Sequence, residues 1–132
     1  MPKDYQPIKD NKYILKDTVY NVAVAIIRNY ENRKEQYQNL LTDDIAIGYV
    51  KATASLNVTD NTQRVGSLRA EIAREIDATD RALSMIPPVY RQGILQKIKF
   101  PRSGYPNDAH RNTYANWKRY FIFTVAQNLG LI

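Results

Sequence analysis

Two adjacent prolines, Pro87 and Pro88, constrain the fold of this chain more than any other pair of residues. The ring of Pro88 disfavours the α conformation at the residue before it, and neither proline donates a backbone hydrogen bond, so an arriving helix must stop there. Upstream, Val65, Leu68, Ile72, Ile76, Leu83 and Ile86 trace one narrow seam along a helix of about two dozen residues, with Thr79 as its polar weak point. Thr59 or Asp60 can cap its start, and Gln63 is placed to return the hydrogen bond to Asp60. Its outer face carries Arg69, Glu71, Arg74, Glu75, Asp77, Asp80 and Arg81, the mixed set of a solvated surface. The seam can pack in the same chain or against a second copy. Packing within the chain is favoured, because so short a seam with a polar break makes a weak free-standing coiled coil.

The prolines that end one helix are pre-organised to begin another. Val89, Tyr90, Ile94, Leu95 and Ile98 give a short amphipathic helix to Lys99, and the segment FPRSGYPN, residues 100–107, reads as a turn or loop. After a cap at Asn112 or Thr113 comes the most regular stripe in the chain: Tyr114, Trp117, Phe121, Val125 and Leu129, widened by Ile122 and Ala126. Asn128 and Gly130 stand where a helix ends. Toward the N-terminus, Asp17 or Thr18 caps a helix whose stripe is Val19, Val22, Ala23, Ile26, Ile27 and Tyr30. Tyr37, Leu40 and Leu41 resume that stripe, so the helix runs on or bends near Asn32. From Thr42 to Asn57, Ile45, Ile47 and Tyr49 alternate with small or polar residues, which predicts a loop or at most a short strand. The expectation is an all-α chain: a helical bundle with two longer N-terminal helices and a C-terminal helix-turn-helix. Residues 1–16 form a loosely held arm, 17–87 a helical scaffold and 88–132 a basic module.

Charge separates these segments. Up to Pro87 there are 12 basic and 12 acidic residues; beyond it there are 7 basic residues and one acid, Asp108. Such asymmetry suits a segment that faces a polyanion, because phosphate binding rests on Coulombic attraction and counterion release. Enzyme chemistry lacks its parts. The chain has no cysteine and a single histidine, His110, so thiolate zinc sites, disulfides and two-histidine metal sites are excluded. The five glycines match no nucleotide-binding fingerprint, and no cofactor is expected. No apolar run approaches the roughly 18 residues of a membrane span, and the N-terminus lacks the apolar stretch of a secretion signal. A cytoplasmic protein of a bacterial host cell is expected.

The segment from Tyr90 to Gly130 has the grammar of a helix-turn-helix, with a longer second helix whose first turns are polar and cationic. A helix fits the major groove, its N-terminal amides favour phosphate, and side chains of its first turns reach base edges. Opposite Trp117 and Phe121 the last helix offers Asn112, Asn116 and Arg119, with His110, Arg111 and Lys118 nearby. Asparagine pairs bidentately with adenine and arginine with guanine. Arg91, Lys97, Lys99 and Arg102 would flank the helix and grip the backbone without specifying sequence. Tyr90, Tyr105, Tyr114, Tyr120 and Trp117 offer single-strand stacking as a lesser alternative, but most fall on the apolar stripe and read as core.

The stretches ALSMIPPVYRQGILQKI and YPNDAHRNTYANWKRYFIFTVAQNLGLI resemble the C-terminal half of the RinA and ArpU type phage transcriptional regulators. Those are small all-α proteins whose end region is similar to the helix-turn-helix of sigma factor region four. The resemblance covers roughly Ala82 to Ile132. It implies that the helix beginning at Pro87 opens the module and that Asn112 to Leu129 is the recognition helix, with Trp117 and Phe121 in its core and Arg111, Asn116, Lys118 and Arg119 near DNA. The connector from Phe100 to His110 is longer than a tight turn, and Pro88 stands where an acidic residue is common in such motifs. The implied function is sequence-specific regulation at phage or mobile-element promoters, with double-stranded DNA as partner, RNA polymerase as a possible second one, and a homodimer as a possible state. The competing expectations are a DNA-recognition subunit of phage packaging and a protein-interaction module that antagonises a host repressor.

Overall fold

In the computed structural model, which describes residues 12–51, 59–106 and 110–132, five α-helices follow one another. They are α1 (Asp17–Arg28), α2 (Tyr30–Lys51), α3 (Thr59–Ser84), α4 (Pro88–Lys99) and α5 (Arg111–Asn128), and there is no strand among the described residues. No helix among them is long and apolar enough to cross a membrane. The arm through residue 11, the loop expectation over 52–57 and Asp108 fall outside the described residues, as do the side chains of 43–51 and of 59–62, including the cap at Thr59 or Asp60.

The chain divides into two compact units, and the division does not follow the double proline. One unit comprises Met1–Asn29 with Ala78–Ile132, the other Tyr30–Asp77. In the first, α1, α4 and α5 pack against one another in all three pairings, and the last turns of α3 join them. Ala23, Ile94, Ile98, Phe121, Val125 and Ala126 are fully buried there. Each large apolar side chain so removed from water contributes about 1.5–3 kcal/mol before chain entropy is counted. Helix α1 therefore belongs to the unit that holds the basic segment. The stripe it buries is Tyr20, Ala23, Val24 and Ile27, rotated from the expected one, and Val22 is exposed.

The upstream half departs from expectation between Thr42 and Lys51. The first helix stops at Arg28 and the next begins at Tyr30, with Asn29 as the break, so the bend lies before Asn32. Helix α2 continues through Thr42 to Lys51 where a loop or short strand was expected. Leu41, Ile45 and Tyr49 are four residues apart, so this short apolar run fits the helical period as well as the alternating one, and no proline intervenes to stop the helix. Thr79, the polar residue of the seam, is fully buried, as are Ala78, Ala82 and Ile86. Ile72, Thr79 and Ile86, all buried, are seven residues apart along the seam; Ile72 belongs to the second unit, and from Ala78 onward α3 belongs to the first. In the second unit, Arg33 of α2 pairs with Glu75 of α3 at 3.0 Å.

Local termini follow the sequence closely. Helix α3 ends at Ser84 and Pro88 takes the first position of α4. Lys16, not Asp17 or Thr18, precedes α1 without a side-chain cap, and Asp17 lies in the first turn, where a carboxylate meets the positive end of the helix dipole. At the end of α5, Gly130 adopts φ +74°. Its N–H donates to Gln127 O and that of Leu131 to Ala126 O, both at 3.0 Å, which closes a Schellman motif. The expected arm is tied down within its described part. Leu15 is buried in the core, and the Tyr13 ring lies 5.4 Å from that of Tyr120 and 5.3 Å from that of Phe123.

Candidate nucleic-acid interface

The described part of the connector between α4 and α5, residues 100–106, packs on one aromatic stack. Tyr114, fully buried in the first turn of α5, is stacked by Tyr105 at 5.0 Å and met edge-on by Tyr90 of α4 at 5.2 Å. Gly93 of α4 faces the same ring. A Cβ there would come within 2.7 Å of Tyr114 Cε1 and 3.0 Å of Pro106 Cδ, so only glycine allows α4, the connector and α5 to meet this closely. Lys97 Nζ donates to the carbonyls of Pro101 at 2.7 Å and Ser103 at 2.6 Å and lies 5.5 Å from the centre of the Tyr105 ring. Ser103 Oγ donates to Phe100 O at 2.7 Å. From α1, Arg28 Nε donates to Ile98 O at 2.8 Å, which satisfies one of the orphan carbonyls ending α4.

These contacts redistribute the ten residues expected at the interface. Lys97 is half-buried and spends its donors on the connector. Arg91 is also half-buried, and its Nε donates to Ile86 O at 2.8 Å, holding the turn that follows α3. Both keep their charge near the surface, but their hydrogen-bonding geometry is structural. Lys99 and Arg102 are exposed. Helix α5 is capped by His110, not by Asn112 or Thr113: His110 Nδ1 accepts from the Asn112 N–H at 3.1 Å. Nδ1 occupies the place of an asparagine Oδ1, so histidine can serve as an N-cap when its proton sits on Nε2. Asn112 is consequently the second residue of α5, exposed, beside the exposed Arg111, and the first turn of α5 holds no acidic residue.

Along α5 the expected readers separate onto two faces. Asn112 and Asn116, both exposed, and Arg119 follow one another at four and three residues on one flank. Arg119 is half-buried, and its Nη1 donates to Asn116 Oδ1 at 3.0 Å. Its Nε is buried and makes no hydrogen bond. Lys118 instead stands four residues from both Tyr114 and Ile122, which are buried, and so lies half-buried on the inner stripe, away from the Asn116 flank. Beyond Arg119, Tyr120 and Phe123 receive the Tyr13 ring and Trp117 packs edge-on against Tyr120 at 5.9 Å. The exposed polar residues Arg111, Asn112 and Asn116 thus lie in the first two turns of α5, and Gln127 is exposed near its end.

Sequence reasoning missed the roles of Tyr13, Arg28, Gly93 and the His110 cap. Tyr13 and Arg28 act across the fold and leave no local mark. His110 could have been found, since it precedes the first helical residue and offers an acceptor at the right reach.

No protein-family model, curated protein or solved structure matches this chain.

Proposed function

We propose that this protein is a non-enzymatic, sequence-specific DNA-binding regulator of transcription, of the phage or mobile-element kind. In this reading α4 and α5 act as a helix-turn-helix and the first turns of α5 enter the major groove. One observation carries it: the unit containing α1, α4 and α5 is the cationic one. Its segments, Met1–Asn29 and Ala78–Ile132, hold 13 basic and 5 acidic residues, a net +8, whereas Tyr30–Asp77 holds 6 basic and 8 acidic, a net −2. The charge division therefore sharpens when it is drawn along the folded units. Polar and cationic groups at His110, Arg111, Asn112, Asn116 and Arg119 occupy the accessible start of α5. Helix N-terminal amides there favour phosphate and these side chain types suit base edges.

The residues assigned to the backbone change with the geometry. Lys99 and Arg102, both exposed, are better phosphate contacts than Arg91 and Lys97, which hold turns together. RNA polymerase and a second copy of the chain remain partners of the proposal, and the resemblance to RinA and ArpU type regulators supports it. The test is a binding titration of promoter-length duplex against salt. With about four phosphates neutralised, Lys99, Arg102 and Arg111 among their partners, the logarithm of affinity should fall against log salt with a slope near ~−3.6. A flat response, or no binding to any duplex at low salt, overturns the proposal.

A further inference from the structure

We infer that the Asn116–Arg119 pair is a preformed, cationic and donor-rich reader that selects guanine and not adenine. The inference rests on the proposed DNA-binding reading and adds the base it recognises. It starts from the bond between Arg119 Nη1 and Asn116 Oδ1 at 3.0 Å. Arginine has donors and no acceptor, so the asparagine atom it meets must be the oxygen, and the amide orientation is fixed. The free end of Asn116 is then its NH2 group.

Bidentate recognition of adenine by asparagine needs both ends of the amide: Oδ1 to accept from N6 and Nδ2 to donate to N7. With Oδ1 engaged by a guanidinium, an incoming N6 amino group would approach a cation. What the pair offers outward is a set of donors, from Asn116 Nδ2 and the remaining N–H groups of Arg119. The base edge that presents acceptors without an amino donor in the major groove, N7 and O6 together, is that of guanine. The stem of Arg119 is half-buried and its Nε fully so, which restricts the conformations it must give up on binding. Asn116 and Arg119 lie in the second and third turns of α5, on the flank that begins at Asn112.

The experiment is selection of bound sites from a randomised duplex pool, on the full chain and on two variants. The wild-type protein is expected to enrich a motif with an obligatory guanine, replacement of which by adenine lowers affinity by about 10- to 100-fold. Arg119→Lys keeps the charge but not the fork, so it should bind DNA with the guanine preference lost. Arg119→Ala frees Oδ1 of Asn116 and should exchange guanine for adenine in the selected motif. The circular dichroism of both variants, at positions outside the core, is expected to match wild type. Enrichment of adenine without guanine by the wild type, or an unchanged motif in Arg119→Ala, overturns the inference. Salt-sensitive retention of the pool without any motif overturns it while leaving DNA binding standing; absence of retention overturns both.

Discussion

At the residue scale, Gly93 and His110 decide whether the start of α5 is presented at all. A methyl group on Gly93 would meet the Tyr114 ring at 2.7 Å, and that ring is held between Tyr90 and Tyr105, so it has no free direction in which to yield. Gly93→Ala is expected to destabilise the protein by about 1–3 kcal/mol despite the better helix propensity of alanine, read as a lower denaturant midpoint at unchanged m. A gain in stability would show that the approach of α4 to α5 is looser than described. His110→Ala should cost about 0.5–2 kcal/mol by leaving the Asn112 N–H without its acceptor, whereas His110→Asn, which restores an acceptor, should recover most of it. Hydrogen exchange at the first amides of α5 distinguishes the two variants, and equal protection in both would argue against the cap. Neither role follows from residue type. Glycine inside a helix is ordinarily a cost of about 1 kcal/mol and histidine is an infrequent cap; position before α5 points to the role of His110, whereas only its partners reveal that of Gly93.

At the scale of elements, the connector and the end of α4 form one construction fastened by Lys97. Two cations expected to act alike are separated by it: Lys97 is fixed to Pro101 and Ser103, while Lys99 two residues on is exposed. Lys97→Ala should therefore lower thermal stability and weaken DNA binding together, because it frees the connector that positions α5. Lys99→Ala should leave stability within about ±0.5 kcal/mol of wild type and reduce the salt slope by roughly one contact, ~0.9. Identical behaviour of the two variants in melting and in the titration would remove the distinction. Element boundaries after the double proline were legible in the sequence, because proline acts on the backbone locally and needs no partner. The helix through Thr42 to Lys51 was not, because Ile45, Ile47 and Tyr49 satisfy two periods over so short a run.

For the whole molecule, the division into units gives the charge pattern its meaning. Helix α1 lies far from α4 and α5 in sequence, yet it completes their core, and the acid-rich Tyr30–Asp77 stretch is a separate body. If the cationic unit is what meets DNA, charge removal in the other should not register. Arg64→Ala and Arg69→Ala together are expected to leave the salt slope unchanged, while Arg102→Ala and Arg111→Ala together lower its magnitude by about 1.8. A fall of that size from the Arg64 and Arg69 pair would move the polyanion contact to the wrong unit.

The sequence by itself determined the helical class, the stop and restart at Pro87 and Pro88, the apolar stripe of α5, its glycine-terminated end and the basic excess of the last third. Each is a local property of backbone restriction, period or formal charge. The tertiary structure alone decided which cations are spent on carbonyls, that Tyr13 packs on Tyr120 and Phe123, that Arg28 closes α4 and that Asn116 and Arg119 act as a bonded pair. Those outcomes depend on which groups meet across the fold, and a helical period states which face a residue occupies without stating what waits opposite it.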